Sequence, residues 1–324
     1  MATLVGTDTL NAISNRVVIP RIMDEIYGRN PLPFRLLAGN KRRVDGGTQI
    51  EVPVLYSDAS VGGWFQGYEL IDTTPFDVVK NVVFDWKEFS VPVSLSKRDL
   101  IKANSPDAIA NLIRLQFDIA QKRAAEILGT AMWNTGTGAA QAKMLTSIPF
   151  AVDTADPGGS ISAYGGQARS GNTWWQGVED GSTAVNTYAN INSNFLTASV
   201  GAYSPTIILS RLTNFYRTVN QQVVNQQFPV PVGGADDILL SAGFTNILFN
   251  NVPWVIDDKV PDANSIYGLN EDTFELVVTP LGDFSVEEWR MATNQMAMVS
   301  HIYACLELIC NAPRLNFKMT AVAA

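Results

Sequence analysis

Residues 105–128 read SPDAIANLIRLQFDIAQKRAAEIL, with no glycine and a single proline at the second position. Such a run constrains the chain more than any other stretch, because it predicts one long helix. Ser105 is a good N-cap, and Pro106 falls at the first helical position, where its missing N–H costs nothing. Asp107 suits the positive end of the helix dipole. At 1.5 Å per residue the helix is roughly 35 Å long. Ile109, Leu112, Ile113, Ala120, Ala124, Ile127 and Leu128 form one apolar stripe. Arg114, Asp118, Lys122 and Glu126 form an alternating-charge ladder beside it. Leu115, Phe117 and Ile119 lie outside the main stripe, so more than one face is expected to be covered. An ordinary core helix fits these features. Its length makes it a strut that other segments must wrap.

The strands are read from period-2 alternation. TQIEVPVLY (48–56) and the longer VVKNVVFDWKEFSVPVSL (78–95) flank a polar, glycine-rich and aromatic span at 57–76. Together they predict a long two-stranded hairpin with an elaborate tip. Pro53 and Pro92 place these strands at edges or bulges. A lone two-stranded ribbon is marginal in water. Exposed Val82, Phe84, Trp86, Trp64 and Phe65 on it would invite aggregation. The ribbon must therefore lie on something, either a neighbouring subunit or its own domain.

Residues 1–44 read as an arm, with short helices expected at 7–15 and 21–27, proline punctuation in NPLPF (30–34) and a basic KRR at 41–43 that either is solvated or meets an acidic neighbour. After the strut, 130–141 is a glycine-rich connector without the Gly-Lys-Ser/Thr ending of a phosphate loop. Residues 151–187 read as a long ordered loop. A short helix from near Asn192 to about 197–202, a strand at 203–210, a helix at 211–228, a loop at 229–237 and strands at 246–258, 265–270 and 274–280 form a mixed α/β block. NQMAMVSHIYACLELICN (294–311) alternates as a long half-buried strand and a partner for the strut. Met296, Met298, Ile302, Ala304, Leu306, Leu308 and Cys310 share one face, and Val299, His301, Tyr303 and Glu307 lie on the other.

Only 17% of the 324 residues are charged, and 46% are hydrophobic. The mean hydropathy is +0.06. A chain this poor in charge points to surface hidden in an assembly, with an unusually large monomeric core as the alternative. The net charge of −8 argues against a basic nucleic-acid-binding face. No apolar run is long enough to span a bilayer, and the N-terminus lacks the pattern of a signal peptide, so a cytoplasm-like compartment is expected.

Catalytic chemistry leaves few traces. His301 is the one histidine, with no evident nucleophile beside it. Cys305 and Cys310 sit on opposite faces of their strand and read as buried free thiols. These residues cannot assemble a zinc or iron site of the usual kind. Asp236–Asp237 and Asp257–Asp258 are weak candidates for a hard cation, Asp257–Asp258 the better of the two. Trp174–Trp175 suit either a glycan platform or, more commonly, packing. No catalytic residue, metal or cofactor is assigned.

The order of these parts resembles the major capsid protein of tailed double-stranded DNA bacteriophages, the HK97-type fold. YGGQARSGNTWW (164–175), FNNVPWVIDD (249–258), SIYGLN (265–270) and SHIYACLELICNAPR (300–314) are similar to blocks found in that family. The resemblance implies an α+β chain with an N-terminal arm (1–44) and an extended β-hairpin loop (45–95) reaching over the adjacent subunit. A peripheral domain (96–137 and 286–324) would carry the spine helix and long sheet, and a central axial α/β domain would span 138–285. Trp64, Phe65, Tyr68, Phe84 and Trp86 would contact the neighbouring subunit. Copies would assemble as hexamers and pentamers into a virion capsid in the host bacterial cytoplasm, with a separate scaffolding protein, a portal and a decoration protein as partners and packaged DNA as contents. No membrane partner is implied. Some relatives cross-link lysine to asparagine. Lys80 and Lys87 lie on the hairpin, but no partner asparagine or acidic helper matches, so that chemistry is not carried over. An encapsulin-type compartment with protein cargo shares the implied fold, and a glycan-binding or hydrolytic enzyme is a third reading.

Overall fold

The computed structural model describes residues 31–57, 64–70, 77–102, 106–136, 141–154, 163–181, 187–224 and 246–320. The helices expected at 7–15 and 21–27, the Ser105 cap and the loop at 229–237 lie outside them.

Two six-stranded sheets organise the chain. The first is built on the long C-terminal strand β15 (Ala297–Cys310). Along one edge of β15 runs β4 (Lys87–Ser96), antiparallel from Ala297–Ser96 to Leu306–Lys87. Along the other edge lie β12 (Phe274–Val278), β13 (Ser285–Val286) and β14 (Arg290–Met291) in succession. A short helix α1 (Pro31–Gly39) leads into β1 (Lys41–Arg43), which adds to β12 in parallel. The basic trio at 41–43 thus meets acidic neighbours in its own chain. Lys41 and Arg43 pair with Asp283 at 2.6 and 3.0 Å, and Arg42 with Glu275 at 3.2 Å.

The second sheet runs in the order β7 (Val178–Asp180), β16 (Phe317–Met319), β11 (Ile266–Leu269), β8 (Ile207–Ser210), β10 (Val252–Ile256), β9 (Asn246–Phe249). Helices α5 (Tyr188–Ala198) and α6 (Leu212–Val224) belong to this half. Strand β16 carries the C-terminus out of the first sheet, so 317–319 part from the rest of 286–324. Strand β12, expected in the axial block, belongs to the first sheet.

The strut is α3 (Pro106–Met132), which follows the short α2 (Lys97–Lys102), precedes the one-turn α4 (Ile148–Ala151) and lies across β4, the strand beside β15. Ile109, Ile113, Ala120, Ala124 and Leu128 are buried as expected, and Phe117 joins them, edge-on to Trp289 at 5.9 Å. The helix does not stop at Gly129. A glycine in a helix costs about 1 kcal/mol, and the next turn offsets it by burying Met132 and delivering Trp133 to a site 4.9 Å from the Tyr267 ring. Glu126 pairs with Arg123 and Lys259, not with Lys122.

Other expectations change in register or extent. NPLPF is largely helical, within α1, rather than irregular. The β-rich run 78–95 is two strands, since the chain leaves β3 (Val79–Phe84) at Asp85 and enters the first sheet at Lys87. Gln49 donates to Asp85 Oδ1 and the Trp86 indole to the Gly47 carbonyl, which pins that crossover. Residues 246–258 are a tight hairpin, because Asn250 and Asn251 both take positive φ (47° and 66°), the geometry of a primed two-residue turn. Helix α5 begins earlier than expected, behind an N-cap in which Thr187 accepts from the Asn190 N–H. Within 151–187, β5 (Ala163–Tyr164) and β6 (Gln167–Ala168) form a small hairpin, and β7 joins the second sheet. Strand β15 alternates only in its first half. From Ala304 onward both faces are buried, Glu307 included.

Candidate assembly surface

The ribbon β2 (Ile50–Leu55) paired with β3 is built in two parts with different surroundings. At its base, Ile50, Val52, Val82 and Phe84 face inward and are buried. They rest on the β5–β6 turn, where the Val83 N–H donates to the Gly165 carbonyl at 3.0 Å. Phe84 stands edge-on to Tyr164 at 5.2 Å, and Tyr164 in turn adjoins Trp175 at 5.5 Å. Phe84 is only 5% exposed, so its own chain covers it where a neighbour was expected to; Trp86 is half-buried, packed in part on the core. Apolar side chains in register with a packed turn were bound to be covered by it.

The tip differs. Trp64 and Tyr68 are fully exposed, as is Leu70, and Phe65 is mostly so. A turn with Gly67 at φ 62°, in which the Gln66 N–H donates to Glu69 Oε2, presents them together. Leu55 and Val79, where the ribbon leaves its base, are exposed as well. Large apolar side chains gathered on one protrusion mark an interaction site. Leu70 was legible only as part of the span, because isolated leucines in polar loops carry no signal.

On α3, Leu115 and Ile119 sit one turn apart and are each more than half exposed, so the expectation that this second face is covered fails within the chain. Lys80 stacks over the Tyr56 ring at 4.6 Å, and Lys87 donates to the Ala142 carbonyl at 3.0 Å.

The chemically suggestive residues are structural. Burial pushes the Cys310 thiol up to about 12 and raises that of Cys305, so neither is a ready nucleophile. His301 lies opposite Pro92 across β4 and β15, half-buried. Asp257 accepts from the Trp133 indole at 3.0 Å and the Lys259 N–H at 2.8 Å, and its burial raises its pKa. Trp174 and Trp175 pack on each other at 5.3 Å, with Trp175 fully buried, which leaves no open glycan platform there. Asp236 and Asp237 lie outside the described residues. Among the described residues, no group of three or more His, Cys, Asp or Glu is placed to hold a metal ion, and no helix is long and apolar enough to cross a membrane. Sequence pattern missed Glu307. Its Oε1 accepts from the Thr146 and Leu308 N–H groups at 2.7 and 2.9 Å, Oε2 has no hydrogen bond, and burial lifts its pKa to about 7.

No protein-family model matches the chain, and no curated protein matches it in sequence. Its fold is another matter. The capsid asymmetric unit of cyanophage A-1(L) covers 100% of both chains at 14% identity with a TM-score of 0.61. The chain has the HK97-type capsid fold. A holo encapsulin complex from Synechococcus elongatus matches 89% of this chain and 86% of its own at 14% identity and a TM-score of 0.55. The capsid of a native GTA particle matches 89% and 90% at 12% identity and a TM-score of 0.54. Within this HK97-type fold, the ribbon tip and the outer face of α3 are apolar surfaces of the single chain that its own core does not use.

Proposed function

We propose that the chain is the major capsid protein of a tailed double-stranded DNA bacteriophage, a non-enzymatic subunit that closes into an icosahedral shell of hexamers and pentamers. The observation that carries this reading is the division of the ribbon: its base is satisfied by its own chain, while Trp64, Phe65, Tyr68 and Leu70 project bare from the tip. A second copy supplies what the tip lacks. The exposed Leu115 and Ile119 on α3 offer a surface of matching chemistry on that copy. Interfaces of standard size bury about 1,600 Å² in total. Repetition by symmetry turns modest contacts into a durable shell.

In this reading residues 1–44 are the arm and 45–84 the reaching loop, cut short of 95 because β4 belongs to the first sheet. That sheet with α3 is the peripheral body, and the second sheet with α5 and α6 is the axial one. A separate scaffolding protein, a portal and a decoration protein are its partners. The DNA is enclosed without sequence-specific contact, in keeping with the net charge of −8. Assembly takes place in the host bacterial cytoplasm, and the finished protein resides in the virion.

Electron microscopy of the chain expressed with its scaffolding protein tests this. Closed shells that fill with DNA through a portal are expected. A stable monomer that forms no particles would overturn the reading. The encapsulin-type compartment is the second reading, favoured by the likeness to the Synechococcus encapsulin. Particles lacking a portal and loaded with enzyme cargo would decide for it.

A further inference from the structure

A cleft of about 360 Å³ opens where β7, β16 and β11 of the second sheet meet the one-turn helix Ile148–Ala151 with Asp153 behind it and the turn at 261–265. Asp153, Glu179, Asp262, Lys318 and Tyr267 line it. Lys318 is held between two carboxylates, 2.8 Å from Asp153 and 3.0 Å from Glu179. Asp262 is the third carboxylate. It accepts only the Asn264 N–H and has no cationic partner among the described residues. The nearby guanidinium groups do not line the cleft. Arg169 donates to the carbonyls of Phe150, Ala151 and Asp153, and Arg211 to those of Val260 and Pro261.

Tyr267 lines the same cleft. It is 3% exposed, its ring is held against Trp133 at 4.9 Å, and its hydroxyl has no hydrogen-bond partner among the described residues. It shares the cleft lining with Asp153, Glu179 and Asp262, and burial raises its pKa, with Glu179, Asp153 and Asp262 raising it further. Tyr267 lines the cleft, so a ligand bound there can take its hydroxyl as a hydrogen-bond partner.

We propose that this cleft binds a small alkyl-ammonium compound, a short diamine, with one ammonium group between the Asp262 carboxylate and the Tyr267 hydroxyl. Ammonium donors suit an unpaired carboxylate beside an unpaired phenol, and charge-assisted bonds of this kind are the strong ones. A metal ion fits less well, because two of the three carboxylates already share the Lys318 ammonium. Pro149, Phe150 and Pro261 give the cleft apolar wall for a methylene chain. The volume lies at the small end of the range for ligand sites, so the ligand is compact. The proposal does not depend on the chain's building shells.

The test uses the full chain as purified, titrated with putrescine by calorimetry and by thermal shift, with 1,4-butanediol and ionic-strength-matched sodium chloride as controls. Saturable binding of one putrescine per chain is expected, with no effect of the diol. Affinity should fall about tenfold or more in Asp262→Asn and in Tyr267→Phe. Both variants should keep their ligand-free melting temperature within about 2 °C, since Asp262 is exposed and the phenol hydroxyl bonds nothing. Heats no larger than those of salt or the diol, or variants that bind putrescine as the wild type does, would overturn the proposal.

Discussion

Gly165 lies directly beneath Val82. A Cβ on Gly165 would stand 2.1 Å from Val82 Cγ1 and 2.8 Å from Phe84 Cζ. The β5–β6 turn and the ribbon base are therefore in backbone-to-side-chain contact, and the turn also has φ 55°, which favours glycine. This contact fixes where the ribbon leaves the body, and hence where its tip projects.

Gly165→Ala should accordingly cost about 2–4 kcal/mol, from the left-handed backbone together with overpacking against Val82. Urea denaturation measures it. Because Phe84 also loses its seat on Tyr164, near-UV dichroism of the aromatic cluster should change as well. A variant as stable as the wild type would mean that the ribbon base is not seated on this turn.

Glu307 makes stability depend on pH with a defined sign. Its carboxyl titrates at about 7 in the folded chain and near 4.5 when exposed, so the folded state binds the proton more tightly. Its contribution is most favourable below pH 4.5, declines as pH rises from 4.5 to 7, and is flat above. The loss amounts to about 3 kcal/mol at pH 8. Glu307→Gln, which keeps an acceptor for the Thr146 and Leu308 N–H groups, should be more stable than the wild type at pH 8 by up to about that amount. At pH 4.5 the two should be similar. Urea midpoints at the two pH values test this, and an equal difference at both would refute the assignment.

Trp133 ties the end of α3 to the second sheet through its bond to the buried Asp257 carboxylate. Trp133→Phe should remove that donor and leave the carboxylate with the Lys259 N–H alone, at a cost of about 1–3 kcal/mol before any loss of packing. Asp257→Asn in the same background should recover part of the loss, because the neutral amide is cheaper to bury. A double-mutant cycle reads the coupling, and its absence would separate the two residues energetically.

These residues also show how far sequence reading reached. The strut was legible because Ile109, Ile113, Ala120, Ala124 and Leu128 repeat at helical spacing, and β15 because it alternates. Its second half is not legible in the same way: alternation places Glu307 on a polar face, and only the segment at 144–147, which supplies the Thr146 N–H, shows that face to be covered. The break between β3 and β4 left no glycine or proline, since Asp85 and Trp86 make the crossover through side-chain bonds to distant residues. Phe84 and Trp64 looked alike in sequence, two aromatics on one ribbon. What parts them is Gly165, 81 residues beyond Phe84 in the chain, and no periodicity connects it to them. The shared fold was carried by the order of segments, which survives at 14% identity where individual residues do not.

Removing the aromatic side chains of the tip should stop assembly. Trp64→Ala, Phe65→Ala and Tyr68→Ala combined, expressed with the scaffolding protein and compared with the wild type by sedimentation velocity and electron microscopy, should give a chain with unchanged far-UV dichroism and melting temperature that sediments as small species and closes no shells. Shells of normal size and yield from that variant would contradict the account.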